Sequence, residues 1–145
     1  MDIEYRGATE GDMDQVRALL ATVRGDPERL SHRRCLVACA HGEVIGCVRI
    51  KELATGGKEL SSLAVAGDWR NRGIGSRLVS SLLSMEPSRP LYLLCFAERE
   101  AFYARHGFSV ISPDELPAAM RDEYSRVAAA LAGAGHKVIA MILVR

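Results

Sequence analysis

Long hydrophobic runs are missing from this chain: no apolar stretch of its 145 residues approaches the roughly 20 that a membrane-crossing helix requires. No charged segment leads into an apolar one at the start, so no signal peptide is expected and the chain is assigned to the cytoplasm, with no membrane partner. One-sided charge is missing too. With 19 Lys and Arg against 18 Asp and Glu, the formal net charge is +1, which provides no global field for nucleic acid or anionic lipid. Aromatic residues make up only 6%, a second argument against a nucleic-acid partner. Any anion site must therefore be local. The four cysteines, Cys35, Cys39, Cys47 and Cys95, contain no C-x-x-C pair, so zinc and thioredoxin-like redox sites are excluded and reduced, small core residues are expected. His32, His41, His106 and His136 fall in a charged loop, a turn, a helix end and a strand start, without a metal pattern.

What is present is enough apolar material, 48%, for a core without disulfides, and the length fits one domain over residues 1–145. Residues 3–6 read as a first strand, and Thr9 can cap a helix to about residue 23 whose Met13, Val16, Leu19 and Leu20 share a face. Residues 24–34, broken by Gly25 and Pro27, read as a short helix or a loop. Apolar runs at 35–40 and 44–51, joined around His41 and Gly42, predict a hairpin. A strand at 58–66 follows Gly56-Gly57, and Ile74, Leu78, Val79, Leu82 and Leu83 mark a helix to about Met85. Pro87 and Pro90 separate it from a buried strand at 91–96. A helix over 98–106 is stopped by Gly107, then come a strand at 108–111, a helical pattern over 113–135 and a last strand at 136–144. No repeat or linker interrupts this order.

The stretch Trp69-Arg70-Asn71-Arg72-Gly73-Ile74-Gly75-Ser76 stands between a strand and an amphipathic helix. Two glycines spaced by one residue allow backbone N–H groups to converge at a helix start, where the helix dipole favours negative charge, a cradle for phosphate. The P-loop pattern G-x-x-x-x-G-K-S/T is absent, and Gly56-Gly57-Lys58 leads into a strand. The Rossmann fingerprint fails because Leu78 stands where its third glycine would be.

The remaining spacing, Arg70-x-x-Gly73-x-Gly75, resembles the R/Q-x-x-G-x-G/A signature of the GNAT superfamily of N-acetyltransferases. Leu63-Ala64-Val65 is similar to that family's fourth strand, and residues 101–108, Ala-Phe-Tyr-Ala-Arg-His-Gly-Phe, are similar to its A-x-Y-x-x-x-G-F segment. The resemblance covers essentially the whole chain. It implies an α/β (α+β) GNAT fold: a central, twisted, mixed and mostly antiparallel sheet of about seven strands flanked by helices, with a V-shaped splay between strands 4 and 5. It implies acetyl-CoA as acetyl donor and no metal. The backbones of Leu63, Ala64 and Val65 would bond the pantetheine arm as an added strand. Arg70, Asn71, Arg72, Gly73, Ile74, Gly75 and Ser76 would wrap the pyrophosphate. Tyr103 stands at the family's general-acid position, facing the sulfur, and Glu59 aligns with the glutamate that some members use as general base. In the same family the acetyl group passes directly to an amine, so Cys95 is read as a buried small residue and not as a nucleophile.

For the acceptor, the resemblance directs attention to residues 24–34 and 112–135. The first has Arg24, Arg29, Arg33 and Arg34 against Asp26 and Glu28, a positive excess suited to a carboxylate. In the second, Asp114-Glu115-Leu116-Pro117 looks like a segment of N-acetylglutamate synthase-like domains, and Leu116, Met120, Tyr124, Val127 and Leu131 form a stripe suited to a lid or a homodimer interface. The expected acceptor is the primary amine of a small molecule or amino acid. The alternatives are a protein or peptide N-acetyltransferase and a non-catalytic acetyl-CoA-binding sensor or interaction domain.

Overall fold

His41 and Gly42 both adopt left-handed φ, 52° and 76°, the conformation a two-residue turn needs if its strands are to keep their natural twist. They join β2 (Cys35–Ala40) to β3 (Glu43–Glu52), the hairpin around which the fold is organised. The computed structural model describes residues 2–23, 25, 29–54 and 56–145. The other elements are β1 (Glu4–Gly7), α1 (Met13–Thr22), β4 (Lys58–Val65), α2 (Ile74–Met85), β5 (Leu91–Phe96), α3 (Glu100–Ala104), β6 (Ser109–Ile111), α4 (Ala118–Ala132) and β7 (Val138–Leu143). The sheet runs β1-β2-β3-β4-β5-β7-β6. Pairs β1/β2, β2/β3, β5/β7 and β6/β7 are antiparallel and β4/β5 is parallel, so the sheet is mixed and mostly antiparallel. The parallel pair is registered at Lys58↔Leu91 and Glu59↔Tyr92.

The chain divides into two compact units, one of residues Met1–Lys51 and Ser61–Pro87, the other of Glu52–Leu60 and Ser88–Arg145. In the first, Met13, Val16, Leu19 and Leu20 of α1 pack on Val37, Cys39, Cys47 and Ala64. Its second helix buries Ile74, Leu78, Val79 and Leu82. A Cβ at Gly46 would lie 3.0 Å from Leu78 Cδ1 and 3.3 Å from Ile74 Cγ2, so the missing side chain on β3 is what lets α2 come this close. In the second unit, Leu116, Met120 and Ala140 form a core joined by Leu53, Tyr92, Leu94, Ile111 and Tyr124. The front of the 112–135 stripe is thus used within the unit, while Val127 and Leu131 stay half-buried.

Three local departures from the sequence reading have simple causes. Thr9 opens a 3₁₀ turn, Glu10–Asp12, ahead of α1, and Asp12 reaches back to accept from Thr9 N (2.7 Å) and Thr9 Oγ1 (3.0 Å). The helix over 98–106 begins as a 3₁₀ turn, Ala97–Arg99, which leaves α3 only five residues before Gly107 (φ 95°) ends it. Of the segment 24–34, Arg24, Asp26, Pro27 and Glu28 lie outside the described residues, and residues 29–34 form turns with Arg29 and Arg34 at φ 53° and 57°. Among the described residues no helix is long and apolar enough to cross a membrane.

Asp12 also takes both Arg6 terminal nitrogens, at 2.7 and 3.1 Å, in a fork with a largely buried carboxylate. The Arg6 guanidinium, helped by the Thr9 N–H, holds the carboxyl well below the usual carboxylate range. Because the folded pKa is depressed, this stabilisation is complete above the unfolded value near 4 and is lost as acid protonates the folded carboxylate. Asp12→Asn is expected to cost about 1–3 kcal/mol at neutral pH. Urea melts of both proteins should converge as pH falls, and a constant difference between them would show that the carboxylate charge is not what matters.

Candidate functional site

In the first unit, β4 delivers the chain to a loop that ends in α2. The Ala66 N–H donates to Ile45 O (2.8 Å), and a 3₁₀ turn, Gly67–Trp69, follows. Arg70 folds back so that Nε donates to Val65 O at 3.1 Å, and the Arg72 guanidinium sits 4.9 Å from the centre of the Trp69 ring. Both arginines are exposed, yet each is oriented by the protein. Asn71 (φ 63°) and Gly73 (φ 79°) then turn the backbone left-handed into the helix.

Gly73 is the N-cap of α2, and no side chain caps it. No acidic residue stands in the first turn either, although Asp and Glu are favoured there. The Arg77 N–H donates to Gly73 O at 3.0 Å, and Ile74, Gly75 and Ser76 form the first turn of the helix. A Cβ at Gly73 would meet nothing within 4 Å, which leaves open space above the turn. A first helical turn with no acidic residue and no side-chain cap, beside two oriented arginines, is the chemistry of a phosphate site.

Upstream in the same unit, Ala64 is buried and Leu63 and Val65 are half-buried. The sequence reading missed the residue before them. Ser62 adopts φ 61° inside β4, a left-handed strand residue of the kind found at β-bulges. For a non-glycine residue this costs of order 1–3 kcal/mol unless the surroundings enforce it. The signal in the sequence was slight: Arg49 and Lys51 are charges within the stretch read as a buried strand.

In the second unit, Glu59 stands opposite Tyr92 in the β4/β5 register and is 3% exposed, so it is a buried acid and not a solvated carboxylate at a strand start. Tyr103, on α3, is 8% exposed and lies edge-on to Phe102 (5.0 Å, 88°) and Phe108 (6.0 Å, 75°). Burial pushes its phenol above the ordinary tyrosine range; Cys95 adds to this and Arg99 opposes it. The phenol therefore stays protonated at neutral pH. Cys95 lies 3.9 Å, sulfur to sulfur, from Met141, and its thiol is pushed up to about 11 by burial, which removes it as a nucleophile at neutral pH. Thus Tyr103 and Glu59 belong to one unit, and the 63–65 strand and the 70–76 loop to the other.

Two cavities accompany these residues. One in the first unit, about 420 Å³, is lined by Glu10, Arg17, Ser31, His32 and Arg33 among others, with basic groups in excess. One in the second, about 530 Å³, lies among Glu52, Lys58, Ser88 and Arg89 and contains none of the expected site residues. Among the described residues, no cluster of three or more His, Cys, Asp or Glu could hold a metal ion.

The model of the acetyltransferase (GNAT) domain matches residues 31–110. An uncharacterized N-acetyltransferase of Chlorobaculum tepidum is 34% identical over 88 residues, 59% of this chain and 56% of the relative, so the chain spans about half the length of that protein. Among solved structures, N-acetylglutamate synthase of Neisseria gonorrhoeae, complexed with coenzyme A and N-acetyl-glutamate, superposes with a TM-score of 0.77 at 22% identity over 99% of this chain and 35% of the synthase. The Mycobacterium tuberculosis protein Rv2747, in complex with CoA and NLQ, gives 0.76 at 23% identity over 98% of this chain and 99% of its own. At these identities the two structures speak for the fold.

Proposed function

The chain belongs to the GNAT family of acetyltransferases, a family of acetyl-CoA-dependent acyltransferases, and from that premise we propose that it moves an acetyl group to the primary amine of a small, carboxylate-bearing molecule of the amino-acid kind. The observation that carries the donor side is the uncapped, acid-free start of α2 behind the left-handed Gly73. There the amides of Ile74, Gly75 and Ser76 bind the pyrophosphate, with Arg70 and Arg72 beside them and Asn71 and Gly73 shaping the turn. The backbones of Leu63, Ala64 and Val65 bond the pantetheine amides. Acetyl-CoA supplies an activated thioester, and the protein manages two protons. An alkyl ammonium of pKa near 10.4 leaves only about one acceptor in 10³ nucleophilic at neutral pH, so Glu59 is assigned to take up its proton. Tyr103 is assigned to protonate the departing sulfur. Residues 1–145 are read as one acetyltransferase domain, and the four free cysteines suit the reducing cytoplasm, where we place it.

The acceptor class rests on the basic cavity lined by Arg17, His32 and Arg33, which offers a carboxylate two guanidinium partners. The relatives add weight: the synthase was solved with N-acetyl-glutamate. A thiol-release assay over amines, amino acids and peptides is the test. Amino acids should be acetylated in preference to peptides and to amines without a carboxylate. Replacing Arg17 and Arg33 together by Ala should raise KM about tenfold or more for carboxylate acceptors and leave simple amines unchanged. A preference for peptide N-termini would overturn the acceptor assignment. Thermal stabilisation by acetyl-CoA without turnover on any acceptor would instead establish a sensor.

A further inference from the structure

At Ser62 the chain enters a region of backbone space that a residue with a Cβ occupies only when its neighbours keep it there. Arg49 Nε donates to Ser62 Oγ at 2.9 Å. The Cys47 thiol donates to the Ser62 carbonyl, with sulfur and oxygen 3.3 Å apart. Both groups come from β3, two residues apart and therefore on one face of the strand. Arg49 is 3% exposed and Cys47 fully buried. Burial pushes the Cys47 thiol up to about 12, so it keeps the proton it donates.

Burying a guanidinium is costly unless its hydrogen bonds are satisfied. Here one of those bonds goes to the hydroxyl of a left-handed serine. A glycine would have reached φ 61° unaided. Serine with an arginine on its hydroxyl does more than permit that conformation: it selects it. The next peptide group is the one whose N–H, on Leu63, was assigned to the acetyl donor.

We propose that Arg49 is a positioning residue for acyl-donor binding: its buried guanidinium, with the Cys47 thiol, holds Ser62 left-handed and so aims the Leu63 amide. This rests on the acetyl-CoA reading given above. Without the guanidinium, Ser62 relaxes toward an ordinary strand conformation and the Leu63 N–H turns with it.

The test uses Arg49→Met, Arg49→Lys, Ser62→Gly, Ser62→Ala and the double variant Arg49→Met with Ser62→Gly. Calorimetric titration with acetyl-CoA and amide hydrogen exchange of the ligand-free protein are the readouts beside turnover. Arg49→Met should bind acetyl-CoA about tenfold or more weakly and exchange faster at Leu63, with the loss falling on the acetyl-CoA KM more than on kcat. Arg49→Lys should fall between Met and wild type. Ser62→Gly should stay close to wild type, because glycine holds the conformation itself, and the double variant should recover most of the loss. Rescue by glycine is what a merely structural arginine would not show. Wild-type affinity in a cooperatively melting Arg49→Met, or a double variant no better than Arg49→Met, overturns the proposal. If Arg49→Met does not fold, Ser62→Ala carries the test: it should bind more weakly than Ser62→Gly, and equal affinities overturn the proposal. No binding of acetyl-CoA by the wild-type protein would overturn this inference and the donor assignment together, whereas wild-type binding that ignores all five changes removes the inference alone.

Discussion

Tyr103→Phe should lower kcat about 10²-fold or more and leave the fold within about 1 kcal/mol of wild type. The substitution keeps the ring that packs edge-on against Phe102 and Phe108, and it removes one oxygen. A large loss of rate with little loss of stability therefore isolates proton donation. The direction of the phenol's shift fixes a second observable. Burial and Cys95 both disfavour the phenolate, so the donor form persists throughout the working range, and no basic limb from Tyr103 should enter the pH profile below about pH 10. Glu59→Gln is the contrasting variant: if Glu59 takes the amine proton, that variant loses rate while its affinity for acetyl-CoA is kept. Wild-type turnover in Tyr103→Phe would leave the tyrosine as a packing residue of α3.

The elements that sequence reading located to the residue are those whose causes are local. α2 begins and ends at Ile74 and Met85 because its apolar positions repeat at helical spacing between Gly73 and Pro87. β5 occupies Leu91–Phe96 because six apolar residues follow Pro90. The glycine loop was legible for the same reason, since Asn71 and Gly73 adopt left-handed φ where the spacing called for a turn. What escaped reading depends on contacts from distant sequence. Nothing around Ser62 demands φ 61°; the cause sits 13 residues away in Arg49, and hydropathy alone cannot assign a buried arginine to a serine. Glu59 was legible only through the family resemblance that makes it a candidate base; its burial, 3% exposed opposite Tyr92 of β5, depends on a strand far along the chain and could not be read from its neighbours. The helix over 98–106 reads longer than α3 because a 3₁₀ turn and an α-helix share nearly the same periodicity over one turn, so the Ala97–Arg99 turn could not be told apart from composition.

Gly73→Val should raise the KM for acetyl-CoA by about 10- to 100-fold, with kcat nearly retained. The open space around the Gly73 Cβ position means that a collision with the protein cannot be the cause. Two other effects remain, and a graded series separates them. The first is backbone strain. At φ 79° a β-branched residue is held at a cost of about 1–3 kcal/mol, and relief by swinging φ negative would turn the Ile74 N–H away from the phosphate position. The second is occupancy, because any Cβ at the helix start enters the space a pyrophosphate would fill. Asn tolerates the left-handed region better than other side chains, so Gly73→Asn should melt close to wild type. If its KM nevertheless rises, occupancy is the cause, and if only Ala and Val raise KM, strain is. Ligand-free melting temperature and calorimetric affinity for CoA, measured on the same three variants, decide between them. A Gly73→Val protein that is destabilised yet keeps its wild-type KM would detach the phosphate from the start of α2 and overturn the donor assignment made there.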